Sequence, residues 1–140
     1  MAQTTVEIRS LADSSLAVGS AGSRTVTIDR SKDAGGFGLG FNGGELLLLA
    51  IGGCYSNDVF READKMGIRI RSVRVEVSAE WCGAPVRAQN VNMKVRIEAD
   101  ASESRIQELI EHTDSVAEIP NSLRHGTEIR LVDARAVSVG

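Results

Sequence analysis

The chain has 140 residues, a length typical of one domain, and we expect a single domain over residues 1–140. Hydrophobic residues make up 42% and charged residues 25% of it, which excludes a disordered tail, a collagen-like repeat and a disulfide-stapled miniprotein. The net charge is -3 and Lys and Arg form no dense cluster, so we expect no nucleic-acid partner. The longest apolar run, residues 46–51, is too short to cross a bilayer, and we predict a soluble, cytoplasmic protein with no membrane partner.

Cofactor and metal motifs are weak in this sequence. Cys54 and Cys82 lack the spacing of a zinc site, and the two histidines, His112 and His125, lie in other segments, so we predict no metal. Residues 38–43 fit GxGxxG before a predicted helix, but a dinucleotide site needs a strand running directly into the first glycine. A loop precedes it here, and we therefore predict no cofactor.

The N-terminal third of the chain predicts strands and then a glycine-rich loop. Residues 5–9 and 24–29 alternate with period two, and residues 16–20 form a small-residue strand between them. Together they imply a short antiparallel sheet. Residues 31–44 carry too many glycines for regular structure and are placed to wrap a site or connect two layers.

A long helix is predicted over residues 45–66, with Gly67 as its C-terminal cap. One stripe of this helix holds Leu47, Ile51, Cys54, Asp58 and Arg61. Its first half is apolar on every side, so it must be buried on every side, which favours cover from a second subunit.

The remaining chain predicts a hairpin-like strand pair, two helices and a last strand. The order of elements is that of an α+β fold and not of a regularly alternating parallel sheet. The predicted strands are 68–81, with a slip in alternation near Ser72, and 91–99, joined by a long connection that includes a turn at 82–85. A helix is predicted from Ser102 or Ser104 to Thr113, with Ile106, Leu109 and Ile110 buried. A short helix 118–123 and a last strand 128–139 follow.

Cys54 is the residue with the clearest chemical potential, and composition alone leaves two interpretations. Gly52 and Gly53 precede it and leave space beside the sulfur for a substrate or another backbone. A buried cysteine, however, usually packs as a small hydrophobic side chain and is inert unless a cation stabilises its thiolate. Glu45 lies nine residues earlier, on the opposite helix face, and is interpreted as a first-turn capping charge.

Residues 29–81 resemble the OsmC/Ohr family of small thiol-dependent peroxidases. The resemblance rests on an Asp that ends a strand, a Gly-Gly loop, the run ELLLLAIGGC ending at Cys54, a polar helix end and a Val-rich charged strand. The triplet Asn121-Ser122-Leu123 before Gly126 resembles the end of the family's second helix. The resemblance implies antiparallel sheets packed around a long buried central helix, an intertwined homodimer, and reduction of organic hydroperoxides by a cysteine pair with Cys54 as the peroxidatic residue.

Two positions depart from the family pattern. The family's second cysteine falls at Ala117, so the usual resolving thiol is missing. The acidic residue that the Ohr branch has ten positions before the cysteine is Gly44 here, and Glu45 stands one place along, as in other OsmC-like branches.

The leading functional hypothesis is therefore a thiol peroxidase that acts in oxidative-stress defence. The Cys54 thiolate attacks the peroxide, Arg9 or Arg24 of a partner subunit supplies the stabilising cation, and Glu45 belongs to the same site. The sulfenic acid is resolved by Cys82 or by an external thiol or dithiol, of which we favour the external one. The alternative is a divergent relative that binds a small apolar ligand or has a stress role without turnover, which the loss of the second cysteine favours.

Overall fold

A computed structural model describes all 140 residues and confirms the α+β class. Contacts divide the chain into two compact units, Met1–Gly53 with Val75–Lys94 and Cys54–Arg74 with Val95–Gly140. The elements, in chain order, are β1 (Glu7–Ser10), β2 (Ala17–Ala21), β3 (Arg24–Ile28), a short 3-10 helix (Lys32–Ala34), α1 (Gly43–Met66), β4 (Arg69–Cys82), β5 (Arg87–Asp100), α2 (Glu103–Val116) and α3 (Glu118–Arg124).

The first unit contains the predicted antiparallel sheet, in the order β1-β2-β3. The register pairs Arg9 with Val18 and Gly19 with Val26. A Cβ at Gly19 would lie only 3.1 Å from Ile28 Cδ1, so this strand position is filled by the neighbouring side chains. Gly19 of β2 thus leaves room for the side chains of Val26 and Ile28 on the neighbouring strand β3.

The glycine-rich segment after β3 is ordered by the buried side chain of Asp29. Its carboxylate accepts backbone N–H groups of Arg30 at 2.8 Å, Phe37 at 3.0 Å and Leu39 at 3.1 Å. Burial raises the pKa of Asp29, but these backbone hydrogen bonds outweigh it and hold the pKa below its ordinary value. One ionised side chain therefore shapes the loop that leads into α1.

Helix α1 begins two residues earlier than predicted and ends where predicted. Gly67 follows it with φ +68°, the left-handed conformation that glycine adopts at a helix end. The glycine pair before Cys54 has two different surroundings, because a Cβ at Gly52 would lie 2.9 Å from Val77 Cγ2, whereas a Cβ at Gly53 would meet nothing within 4 Å. Gly52 thus allows close packing on β4, and Gly53 faces open space.

One face of α1 is left uncovered by the chain itself. Leu49 is 53% exposed and Phe60 is 52% exposed, and Ala50 and Gly53 lie exposed between them. These four residues are called the exposed stripe of α1. The opposite face carries the buried residues Ile51, Tyr55, Val59 and Ala63.

The second unit has a compact core between the C-terminal half of α1 and the last two helices. Tyr55, Val59, Leu109 and Thr113 are fully buried there, and the Tyr55 hydroxyl donates to the carbonyl of Ile110 at 2.9 Å. Burial, together with the charge of Asp114, raises the pKa of Tyr55 to about 12. Helix α2 is capped by Ser102, whose hydroxyl accepts the N–H of Arg105. The helix start predicted at Ser102 or Ser104 is thus resolved in favour of Ser102.

Strands β4 and β5 pair in a two-stranded sheet. Strand β5 begins four residues earlier than predicted and β4 ends one residue later. Only four residues, 83–86, therefore connect them, and the prediction of a long connection is wrong. The alternation of exposure along β4 slips at Arg71 and Ser72, as the sequence pattern predicts. A bidentate ion pair of Arg71 with Asp100, at 3.0 and 2.8 Å, joins the two strands at their open end.

The predicted last strand is wrong. Residues 127–140 form no strand or helix, and their apolar side chains are exposed, with Ile129 94% and Val139 97% exposed. An alternating sequence becomes a strand only when a neighbouring edge pairs with its N–H and C=O groups, and this chain pairs no edge with the segment. The residues 128–139 are called the C-terminal segment below.

Candidate active site

Cys54 lies on α1, is half-buried and carries a free thiol. The backbone N–H of Ile119, at the start of α3, donates to Cys54 Sγ over 3.4 Å. On its other side the thiol donates to Asp58 Oδ2 over 3.7 Å. The sulfur is thus in contact with one backbone N–H donor, which favours negative charge on sulfur, and with one carboxylate, which accepts the hydrogen bond of the thiol.

Helix periodicity explains why these side chains meet. Asp58 is one helical turn after Cys54, and Arg61 is the next position on the same face. Arg61 Nη1 lies 3.2 Å from Asp58 Oδ1 and 3.3 Å from Glu118 Oε1. Arg61 therefore fixes the carboxylate that faces the sulfur and joins α1 to the residue before Ile119.

The buried carboxylate of Glu62 gathers three basic side chains beside this group. Glu62 Oε2 lies 2.9 Å from Arg61 Nε and 3.0 Å from Lys65 Nζ, and Glu62 Oε1 lies 2.8 Å from His112 Nε2. Hydrogen bonds from Lys65, Arg61 and His112, in that order of effect, lower the pKa of Glu62 to about 2. These four residues are called the Glu62 cluster. The contact of Glu62 with His112 joins α1 to α2.

Glu45 makes the capping contacts expected of a first-turn acid. Its Oε1 accepts the N–H of Asn42 at 3.0 Å, and its own N–H donates to Asn42 Oδ1 at 2.8 Å. This reciprocal pair is a capping box. The structure therefore confirms the interpretation of Glu45 as a helix-start residue.

Arg9 and Arg24, the two predicted cations, belong to the three-stranded sheet. Arg9 Nη2 lies 3.2 Å from Glu7 Oε1, and both side chains are exposed. Arg24 Nε donates to the carbonyl of Ala21 at 3.4 Å. Both of these contacts are exposed to solvent. Their roles as site cations stay predictions.

Cys82 is the last residue of β4 and is exposed with a free thiol. Its backbone carbonyl accepts the side-chain amide of Gln89 at 3.4 Å. The role predicted for it as a resolving thiol stays a prediction. No group of three or more His, Cys, Asp and Glu side chains is arranged to hold a metal ion, and no helix is long and apolar enough to span a membrane.

Comparison with known proteins identifies the family of the chain. The family model described as OsmC-like protein matches residues 35–132. The chain belongs to the OsmC-like family. The match includes Cys54, both segments that contact its sulfur and the first five residues of the C-terminal segment. A search of curated proteins finds no match.

Solved structures with the same fold are distant in sequence. The OsmC-like protein from Mycoplasma pneumoniae is 20% identical, with a TM-score of 0.78 and coverage of 90% of this chain and 89% of that one. The organic hydroperoxide resistance protein OhrB of Bacillus subtilis is 16% identical, with a TM-score of 0.62 and coverage of 89% and 92%. A Vibrio cholerae protein described as a putative organic hydroperoxide resistance protein with captopril in one active site is 18% identical, with a TM-score of 0.61 and coverage of 90% and 87%. At these identities the likeness establishes the fold.

Ala117 is the position at which the sequence resemblance predicts the family's second cysteine. Ala117 is fully buried, between α2 and α3, and its N–H donates to the carbonyl of Thr113 at 2.9 Å. It stands two residues before Ile119, whose nitrogen contacts Cys54 Sγ. The backbone of the segment that contains Ala117 therefore contacts Cys54 through Ile119.

Sequence analysis did not identify Asp58 and Ile119 as neighbours of the thiol. The signal for Asp58 was present, because Cys54, Asp58 and Arg61 share one predicted helical stripe. Ile119 contributes only its backbone, which no side-chain motif reveals. Its position follows from the turn between α2 and α3.

Proposed function

We propose that this OsmC-like protein is a thiol-dependent peroxidase that reduces organic hydroperoxides through Cys54 in oxidative-stress defence. The observation that carries the proposal is the half-buried free thiol with an N–H donor at 3.4 Å and a carboxylate at 3.7 Å. Relatives of the same fold described as organic hydroperoxide resistance proteins support the choice of substrate class.

The contacts of Cys54 support a simple sequence of steps. The thiol transfers its proton towards Asp58, and the Ile119 N–H stabilises the negative charge left on sulfur. The thiolate attacks the outer peroxide oxygen, so that an S–O bond forms as the O–O bond breaks. The products are Cys54 sulfenic acid and an alkoxide, which takes up a proton and leaves as the alcohol.

The remaining predicted site residues enter the proposal with defined parts. We place Arg9 or Arg24 of a partner subunit near Cys54 as the additional cation, with Glu45 fixing the start of α1. An external thiol or dithiol reduces the oxidised protein, with Cys82 as the alternative resolving thiol. Two free cysteines fit a reducing compartment, which supports a cytoplasmic location.

The working form of the protein is proposed to be a homodimer. The exposed stripe of α1 and the apolar side chains of the C-terminal segment are left open to water by a single chain. Burial of both against a second copy would complete the helix cover and provide an edge for the unpaired segment. Light scattering at micromolar concentration is expected to give about twice the mass of the chain, and a stable monomer would contradict the dimer.

A matched pair of glycine variants tests where the dimer forms. Gly53→Ala meets nothing within 4 Å in the chain, so it should leave the fold intact and weaken association if a second copy packs there. Gly52→Ala presses against Val77 and should instead destabilise the fold, by about 1–3 kcal/mol. A Gly53→Ala dimer as tight as the wild type would place the interface elsewhere.

The peroxidase proposal is tested by hydroperoxide consumption with dithiol and monothiol donors. Wild-type protein is expected to consume cumene hydroperoxide catalytically, and Cys54→Ser is expected to fall to the background rate. Far-UV circular dichroism of the variant is the control for folding. Equal consumption by both proteins would contradict the role of Cys54.

A second candidate function is binding of a small apolar ligand without turnover. An apolar groove of about 500 Å³ on the three-stranded sheet favours it; its lining includes Val6, Ile8, Val26, Ile28 and Leu46. Ala117 in place of a second cysteine favours it as well. A Cys54 that resists hydroperoxide, in a protein that still binds an alkyl-chain probe, would support this candidate over the peroxidase.

A further inference from the structure

The backbone nitrogen that contacts Cys54 Sγ is a group able to capture an oxidised sulfur. Ile119 N lies 3.4 Å from Sγ, inside the range of about 3–3.5 Å at which reacting atoms are placed for attack. This N–H belongs to the first turn of α3, where backbone N–H groups have no acceptor within the helix. Because the segment around Ile119 contains no cysteine, no thiol competes from it.

We propose that oxidised Cys54 closes a sulfenamide ring with the backbone nitrogen of Ile119. A sulfenic acid condenses with a backbone nitrogen as well as with a thiol. In this protein the nitrogen would take the part that a second cysteine would otherwise play. The inference rests on the proposed function, because hydroperoxide must first convert the thiol to sulfenic acid.

The step balances without a further oxidant or reductant. The S–N bond forms as the S–O bond breaks, and the amide proton joins the departing hydroxyl to leave as water. We assign the transfer of that proton to Asp58, whose Oδ2 lies 3.7 Å from Sγ and whose carboxylate Arg61 holds in position. An external thiol then attacks the sulfur, restores the amide N–H and leaves a mixed disulfide, which a second thiol reduces.

The ring would protect a site that has no resolving cysteine in contact. A sulfenic acid that persists reacts with a second hydroperoxide to give sulfinic acid, which external thiols do not reverse. Capture by Ile119 N removes the sulfenic acid and keeps the sulfur in a form that thiols reduce. The product is therefore expected to accumulate when hydroperoxide is supplied and thiol is withheld.

Mass spectrometry of the Cys82→Ser protein after one equivalent of cumene hydroperoxide tests the proposal. This background removes the disulfide with Cys82, which would have the same mass change. A sulfenamide is expected about 2 Da below the reduced chain, whereas a sulfenic acid lies about 16 Da above it. Peptide mapping should join Cys54 to Ile119, and dithiol should restore the reduced mass.

Two variants at Ile119 separate the backbone from the side chain. Ile119→Pro removes the N–H at a first-turn position, which tolerates proline, and should replace the lighter species by sulfenic and sulfinic acid. Ile119→Ala keeps the N–H and should still form the ring. If Ile119→Pro does not fold, the mapped cross-link in the Cys82→Ser protein decides alone.

The outcomes distinguish this inference from the proposed function. Oxidation of Cys54 without the lighter, cross-linked species would overturn the sulfenamide and leave the peroxidase standing. A Cys54 that hydroperoxide does not oxidise would overturn both. A lighter species that persists in folded Ile119→Pro would show that another nitrogen or thiol captures the sulfur, and would overturn the assignment to Ile119.

Discussion

Cys54 and Cys82 are both free thiols, but their surroundings differ in the features that control reactivity. Cys54 is half-buried, with an N–H donor and a carboxylate within 4 Å of its sulfur. Cys82 is exposed at the end of β4, and only its backbone carbonyl makes a hydrogen bond. Exposure makes Cys82 easier to reach, whereas Cys54 has a backbone N–H donor at its sulfur, which favours negative charge there. The contrast predicts that access alone does not decide which thiol reacts with hydroperoxide.

The largest expected difference is the site of first oxidation. Less than one equivalent of cumene hydroperoxide should remove the Cys54 thiol and spare Cys82, because only Cys54 has an N–H donor that stabilises negative charge on its sulfur. Alkylation of the remaining thiols, followed by peptide mass spectrometry, measures both positions whatever product forms. Denatured protein is the control, in which both cysteines should react alike. Preferential loss of Cys82 would contradict the mechanism.

Ala117→Cys should give the next largest effect, since it introduces a thiol at the position where we predict the family's second cysteine. Ala117 lies two residues before the nitrogen that contacts Cys54 Sγ, so the introduced thiol is expected to form a disulfide and speed turnover with dithiols. The site is fully buried, and overpacking should cost about 1–3 kcal/mol of stability.

Ala117→Ser is the matched control for this variant, because it adds a similar atom without a thiol. It should share the loss of stability and show no gain in turnover. An Ala117→Cys protein that forms no disulfide after one equivalent of hydroperoxide would show that this segment does not deliver its side chain to Cys54.

The sequence predicts the helices better than the last strand, and the reason is physical. Gly67 and Ser102 specify helix ends through local chemistry, and both positions are confirmed. A strand at residues 128–139 depends instead on a partner edge, which no local pattern supplies, and one chain leaves it unpaired. Local signals therefore predict the helices, whereas the pairing of a strand depends on a distant segment of the same chain or on another chain.

Some contacts of the candidate site also follow from local sequence, whereas others depend on tertiary packing. Cys54 follows from its motif, and the relation of Asp58 and Arg61 to it follows from helical spacing. The pairing of Glu62 with His112 joins residues 50 positions apart, and that of Arg61 with Glu118 joins residues 57 apart. These contacts arise only when α2 and α3 pack on α1, so spacing along the chain does not reveal them.

Acid should disturb the surroundings of Cys54 through the Glu62 cluster. The pKa of Glu62 is lowered from 4.5 to about 2 in the folded chain, so its ionised form stabilises the fold at pH above the unfolded value. That contribution is lost as the pH falls from 4.5 through about 2. Urea unfolding across this range should show a smaller acid loss for Glu62→Gln than for the wild type. If the free energy of unfolding falls equally with pH in both proteins, Glu62 is not the source of the acid loss.

Cys82→Ser should give the smallest effect. The side chain is exposed and its sulfur has no hydrogen-bond partner, so stability should change by less than about 0.5 kcal/mol. Turnover with an external thiol should match the wild type, because we expect that thiol to reduce oxidised Cys54 directly. A direct disulfide requires the two Cα atoms within roughly 7 Å. High-yield recovery of a Cys54–Cys82 disulfide after one equivalent of hydroperoxide, within or between subunits, would remove the contrast between the two cysteines and make Ala117→Cys add little.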